Sequence, residues 1–223
     1  MLIWANKKEI NAELIEPLTA MYKMVALPKA MERLKGWELS VIFKQIKESM
    51  GERKDLAILD FGAGVDPFGA YLTHLGYQSV TCLDLEGGWH PEMDQKIYNK
   101  KFGACVRYEK ADVCEGHDRE YDVIFSASVL EHIKAKKRLE IMGVLSRLMK
   151  PGGLFVHTVD YYNARHSNIN VEKLINSCAM SIAYQPEETP GCEEFREPPE
   201  HAWMIRGRTS LAFFNTPRNQ QEG

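Results

Sequence analysis

The sequence predicts an α/β protein: a parallel sheet with helices on both faces and a ligand edge at the carboxyl ends of its strands. Three observations lead there. Residues 58–69 read Ile-Leu-Asp-Phe-Gly-Ala-Gly-Val-Asp-Pro-Phe-Gly, an apolar run that ends in an acid and passes at once through two glycines. Further apolar runs follow at 79–85, 105–109, 121–127 and 154–159, with helical stretches between them. The clearest helix spans 135–149, where Ile141, Val144, Leu145 and Leu148 recur at helical spacing before Lys150-Pro151-Gly152-Gly153 stops it. Strands that alternate with helices need crossover connections, and crossovers make neighbouring strands parallel.

The elements follow in order. Residues 1–50 read as helical, a cap belonging to the same domain as residues 51–223. Leu39, Ile42, Phe43 and Ile46 form one apolar stripe, and Ile10, Leu14 and Leu18 another that bends or ends near Pro17. This cap is expected to pack on the sheet and partly roof its ligand edge. At Gly62 and Gly64 the first strand enters a tight turn. Glycine tolerates the positive φ such a turn needs, and it lets backbone N–H groups approach a ligand. Asp60 supplies a fixed acceptor. Asp66 stands where a dinucleotide fingerprint wants a small residue beside the pyrophosphate. A carboxylate there repels phosphate and suits a cationic or zwitterionic ligand. Beyond the strand at 154–159 come a helix near 169–178 and strand-like runs at 180–184 and 209–215. The stretch between those runs, 185–208, carries Pro186, Pro190, Pro198 and Pro199. It is long for a hairpin loop, and loops of that length are commonly functional or disordered.

Composition bounds the class. At 223 residues, 44% hydrophobic and net charge −3, the chain can bury one good core. No window approaches the 18 or more apolar residues of a membrane span. Asn6, Lys7, Lys8 and Glu9 follow Trp4 where a signal peptide would place its apolar stretch, and the five cysteines are scattered with no Cys-x-x-Cys pair. A cytoplasmic protein with reduced thiols is expected. Slight acidity argues against nucleic acid as a partner. Oligomeric state is open.

Ligands of open α/β sheets bind beyond the carboxyl ends of the strands, and this chain places polar residues there repeatedly: Asp60, Asp84, Asp112, Ser126, Ser128 and Asp160. Asp84 ends the second strand, about 20 residues after the glycine turn, where a carboxylate can accept from both ribose hydroxyls. Glu86 is the substitute for that role, and a helix cap is the structural alternative. Asp112, in Lys-Ala-Asp-Val, could accept from an adenine amine or merely cap a turn.

Taken together, these segments resemble the class I S-adenosylmethionine-dependent methyltransferases over roughly residues 50–160. The resemblance rests on Leu59-Asp60-Phe61-Gly62-Ala63-Gly64, the strand-end Asp84, Ala111-Asp112-Val113, residues 121–133 from Tyr121-Asp122 to Leu130-Glu131-His132-Ile133, and Leu148-Met149-Lys150-Pro151-Gly152-Gly153. It implies a Rossmann-like fold with a mostly parallel seven-stranded sheet, an antiparallel C-terminal strand and helices on both faces. It also implies S-adenosyl-L-methionine as cofactor and S-adenosyl-L-homocysteine as product. The cofactor residues it implies are Asp60, Gly62, Ala63, Gly64, Asp84, Leu85, Asp112, Val113, Ser126 and Ala127. The departure is Asp66-Pro67, where many members have a third glycine.

A sulfonium already makes its methyl group electrophilic, so the enzyme must align a nucleophile and, for a hydroxyl, remove its proton. His132 is the candidate base, since an imidazole suits proton abstraction near neutrality; a pocket wall is the alternative. Asp160 could hold the His132 tautomer. A histidine after the fourth strand with an aspartate after the fifth resembles the metal-independent sugar O-methyltransferases. Tyr161, Tyr162, His166 and Trp203 are candidate acceptor contacts, and Trp89 is another polar-edged aromatic. The fourth strand ends in Ser126-Ala127-Ser128 without a carboxylate, so no metal site is expected. His74 and His157 read as structural. The expected partner is a small-molecule or glycan acceptor, with no nucleic acid and no membrane. Non-sugar O- or N-methyl transfer, a nicotinamide-dependent oxidoreductase and a non-catalytic member of the fold are the competing readings.

Overall fold

The computed structural model describes residues 2–5, 18–21, 23–24, 29–64, 66–85, 91–160, 180–181 and 210–217. Its elements are β1 (Leu2–Ala5), α1 (Lys29–Met50), β2 (Ala57–Phe61), α2 (Phe68–His74), β3 (Ser79–Asp84), α3 (Pro91–Phe102), β4 (Arg107–Lys110) and β5 (Tyr121–Ala127). A 3-10 turn (Leu130–His132), α4 (Ala135–Arg147), β6 (Met149–Asp160), β7 (Met180–Ser181) and β8 (Ser210–Pro217) follow. Residues 18–21 and 23–24 are helical as well.

Strand period explains how the layers form. Along β2, Ile58 and Leu59 point to opposite faces and both are fully buried, so each face needs a cover. On one face Ile58, Val80, Val123, Phe125 and Val156 pack against Leu39, Ile42 and Ile46 of α1, Phe68 and Leu72 of α2, and Phe102 of α3. On the other, Leu59, Leu83, Ile124 and Phe155 pack against Ile141, Met142, Val144 and Leu145 of α4. Each of these buried side chains contributes up to roughly 1.5–3 kcal/mol relative to exposure.

The sheet runs β1-β8-β6-β5-β2-β3-β4, with β7 paired to β8. Strands β4, β3, β2, β5 and β6 are mutually parallel. The chain steps outward from β2 through β3 to β4, then returns to lay β5 on the other side of β2. That reversal makes the β2/β5 boundary a topological switch point, the crevice where open α/β sheets receive ligands. Strand β8 lies antiparallel to β6, with His157 opposite Phe213.

Two expectations are corrected. The sheet has eight strands where seven were expected. The extra strand comes from the segment read as entirely helical: Leu2–Ala5 pairs antiparallel with β8, Trp4 opposite Leu211. Leu-Ile-Trp-Ala is an apolar, β-compatible run, and the helical reading extended the stripe of α1 too far back. Of the second stripe, Leu18 is fully buried, while Ile10 and Leu14 lie outside the described residues. Helix α4 ends at Arg147 with Leu148 as its cap, so Lys150-Pro151-Gly152-Gly153, expected to stop it, belongs to an irregular start of β6. Met149 pairs with Tyr121, the register shifts, and regular pairing resumes at Leu154 opposite Val123, with Gly152 at φ 74°. No described helix is long and apolar enough to cross a membrane.

Candidate functional site

The glycine turn after β2 is held by hydrogen bonds to the next strand. Gly62 (φ 72°) and Ala63 both donate N–H to Leu83 O, at 2.8 and 3.2 Å, and Gly64 (φ 52°) donates to Asp84 Oδ2 at 2.9 Å. Ala111 N–H in turn donates to Asp84 O at 3.0 Å. The ends of β2, β3 and β4 are thereby joined through Asp84 at one sheet edge. A carboxylate offers about four lone-pair positions, so the Gly64 amide does not exhaust it. Leu85, immediately beyond, is 62% exposed, an apolar face presented at a polar edge.

Asp60 is buried beneath this turn rather than displayed on it, with Cys82 Sγ 3.8 Å from Oδ2. Burial, and then the Asp60 charge, push the Cys82 thiol well up, so it stays protonated. Asp66, expected to select against phosphate, is engaged locally as well. Its Oδ1 accepts the Phe68 N–H at 2.9 Å, an Asx turn that leads into α2, whose N-cap is Pro67. The close helix–strand approach that a third fingerprint glycine usually permits is made at Gly69, where an added Cβ would overlap Cys82 Sγ.

Asp112 sits in the loop after β4. Its Oδ1 accepts the Cys114 N–H at 2.9 Å, and Lys137 Nζ of α4 lies 3.1 Å from Oδ2. The Cys114 amide, then Lys137, hold its carboxyl below the usual range. Val113 is buried in the core beside α4, so only its main chain can face a ligand.

Across the switch point, Ser126 and Ala127 end β5. The Ser126 hydroxyl is fully buried and lies 2.6 Å from His157 Nδ1, so a ligand contact from Ser126 would have to come from its main chain. His157 is the structural histidine expected, and burial pushes its pKa down to about 3. His74 is structural too, bonded to Phe102 O at 2.8 Å and stacked on Tyr71. Ser128 has φ 54°, alone among described non-glycine residues in being positive. Its Oγ–H donates to Glu38 Oε1 of α1 at 2.7 Å.

His132 closes the 3-10 turn and is exposed on it. Asp160 ends β6, and its side chain lies outside what the structure describes, as do Glu86, Trp89, Tyr161, Tyr162, His166 and Trp203. The structure thus gathers Gly62, Ala63, Gly64, Asp84, Leu85, Asp112 and the β5 end at one edge, and leaves the His132–Asp160 pairing undrawn. Sequence reasoning missed Glu38, Gly69 and Lys137. Glu38 had a signal, an acid four residues before Ile42 on an apolar helix face. Gly69 had none, since a glycine in a short helix does not announce its neighbour.

Comparison with known proteins fits this edge. Residues 59–157 match the family described as "Methyltransferase domain". That match runs from β2 into β6, a little under half of the chain, and over it the chain is similar to S-adenosylmethionine-dependent methyltransferases. It is similar to two curated proteins named "Ubiquinone biosynthesis O-methyltransferase", from two strains of Rickettsia bellii, each 29% identical over 128 residues. Those matches cover 56% of this chain and 51% of the relatives, so the chain is matched along about half of their length. Among solved structures, the chain superposes with TehB from Haemophilus influenzae at a TM-score of 0.63 (12% identity; 92% of this chain, 67% of that one). It also matches an S-adenosylmethionine-dependent methyltransferase from Clostridium acetobutylicum at 0.60 (12% identity; 91% and 98%). A third is the 1,6-didemethyltoxoflavin-N1-methyltransferase of Burkholderia thailandensis, solved with its substrate and S-adenosylhomocysteine, also at 0.60 (15% identity; 96% and 91%). At these identities the three structures speak for the fold.

Proposed function

We propose that the chain is an O-methyltransferase that takes up S-adenosylmethionine along the β2–β3–β4 edge and transfers its methyl group to a hydroxyl of a small acceptor. The observation that carries this is Asp84: one carboxylate ties the glycine turn to the second strand end and stands where a ribose would meet it. Gly62, Ala63 and Gly64 would face the methionyl part, Leu85 the adenine ring and Asp112 its amine. His132 would take the acceptor proton as the bond to the methyl carbon forms, with Asp160 orienting it and no metal required.

A hydroxyl is preferred to an amine because the two curated relatives are named for O-methyl transfer. The fold alone leaves this open, since a neighbour of equal likeness is named for methylation at nitrogen. A sugar or glycan acceptor rests on His132 and Asp160 alone, and the relatives' name does not extend to it. The test has two stages. Calorimetry with S-adenosylhomocysteine and with NAD should show binding of the first only; binding of NAD alone would replace the methyltransferase reading with the oxidoreductase one. Sugars, nucleotide sugars, phenols and amines are then offered with labelled S-adenosylmethionine and a chelator. Labelled product from hydroxyl acceptors is expected, and transfer to amines only would overturn the O-methyl assignment.

A further inference from the structure

Ser128 occupies a left-handed conformation, φ 54°, that residues with a Cβ adopt only when their surroundings impose it. Two contacts impose it here. The Ser128 N–H donates to Thr158 O at 3.0 Å, and the hydroxyl donates to Glu38 Oε1 at 2.7 Å. Glu38 is 2% exposed, so this short hydrogen bond is made out of water, where losing it is most expensive. The turn so fixed has a consequence one residue on. Val129 presses its methyl groups into the space over Gly62, where a Cβ would meet Cγ1 and Cγ2 at 2.5 and 2.6 Å. Gly62 begins the run of amides that ends in the Gly64 bond to Asp84.

We propose that Glu38 is a positioning residue for the cofactor turn: acting through Ser128 and Val129, it holds Gly62 to Gly64 in the conformation that receives the cofactor. The link to cofactor rests on the methyltransferase reading; the mechanical link does not. Helix α1 precedes the alternating strands and helices in the chain, yet it sets the geometry of a turn between β2 and α2. It can do so because the sheet reverses at β2/β5, which brings the loops after both strands together under α1. Glycine at 128 would need no such hold, since it enters the left-handed region without steric penalty.

The test uses the full chain and separates the two links. Amide exchange in ligand-free protein at Gly62, Ala63, Gly64 and Ser128 reads the turn. Calorimetry with S-adenosylhomocysteine reads the cofactor. Glu38→Ala should speed exchange at these amides about tenfold and weaken the ligand by roughly the same factor. Glu38→Gln, whose amide oxygen accepts the same hydroxyl, should stay near wild type. Adding Ser128→Gly to Glu38→Ala should restore both readouts, which a merely structural role for Glu38 would not allow. Should Glu38→Ala fail to fold, Ser128→Ala against Ser128→Gly makes the same comparison. The alanine variant loses the hold and keeps the penalty, so it should be the impaired one. Turn amides that exchange as in wild type after Glu38→Ala, or Ser128→Ala and Ser128→Gly variants that behave alike, would overturn the proposal. Loose amides with no change in S-adenosylhomocysteine affinity would overturn its cofactor half. A wild-type chain that binds no S-adenosylhomocysteine would remove the methyltransferase reading, while exchange still decides the hold.

Discussion

Asp84 holds the glycine turn, and in the proposed function the same carboxylate receives the cofactor ribose; substitutions can pull the two apart. Asparagine keeps an oxygen for the Gly64 N–H and gives up the charge, whereas alanine gives up both. Asp84→Ala should weaken S-adenosylhomocysteine binding by about 1.5–3 kcal/mol and Asp84→Asn by about half of that, measured by calorimetry on folded protein. Unchanged affinity in the alanine variant would shift the ribose role to Glu86. His132 makes a complementary case. If it removes the acceptor proton, His132→Ala should lower kcat by roughly 10²–10⁴ while cofactor affinity holds. Near-normal turnover would reduce His132 to a pocket wall and take the sugar reading with it. Residues at this scale were legible where a strand pattern and a glycine turn fixed their place, as with Gly62, Gly64 and Asp84. Local contacts were missed where only the residue type spoke. Asp66 was read as an electrostatic selector, and the N–H two residues ahead, which also engages it, went unread. The run Asp66-Pro67 ahead of a helix was itself an Asx-turn signature that could have said so.

Element by element, strand interiors were readable and contacts between elements were not. Strand β5 is found at the predicted residues, because alternation sets it off from its neighbours. Gly69 shows what a linear pattern hides. It allows α2 to settle against β3, and the atom that would block a side chain, Cys82 Sγ, comes from a different element. A methyl group there forces the helix outward or the thiol aside in a fully packed layer. Gly69→Ala is therefore expected to destabilise the fold by about 1–3 kcal/mol in urea unfolding. Trimming the obstacle should recover much of it, so Gly69→Ala with Cys82→Ala should be more stable than the sum of the single changes predicts. Strict additivity would mean the strain lies elsewhere. The same reasoning explains why β1 was missed. Whether an apolar tetrapeptide becomes a strand depends on an open sheet edge, and the edge it uses belongs to β8, some 200 residues away.

At the scale of the whole molecule, the three-layer arrangement puts a histidine where no water reaches it. His157 lies between β5 and β8 in the sheet, fully buried, with Ser126 Oγ at 2.6 Å and the Phe155 ring 4.7 Å from its own. Burial disfavours the imidazolium and brings its pKa to about 3, against about 6.5 in an unfolded chain. The sign follows from proton counting. Between those two values the unfolded chain binds one more proton than the folded one, so stability is full above pH 6.5 and falls as the pH drops. The slope approaches 1.4 kcal/mol per pH unit, or about 2 kcal/mol lost by pH 5. Carboxylates act in a separate window. Burial alone would raise Asp122, but Lys150 and the Ala57 N–H carry it below the ordinary range, and the Cys114 amide does the same for Asp112. Their contributions are present above about pH 4 and fade only below it. Urea unfolding at pH 7, 6 and 5 therefore isolates the histidine. A His157→Gln chain, which cannot titrate there, should start less stable at pH 7 and lose about 2 kcal/mol less than wild type on the way to pH 5. Equal losses in the two proteins would mean that another group carries the acid sensitivity and that His157 can take its proton inside the sheet.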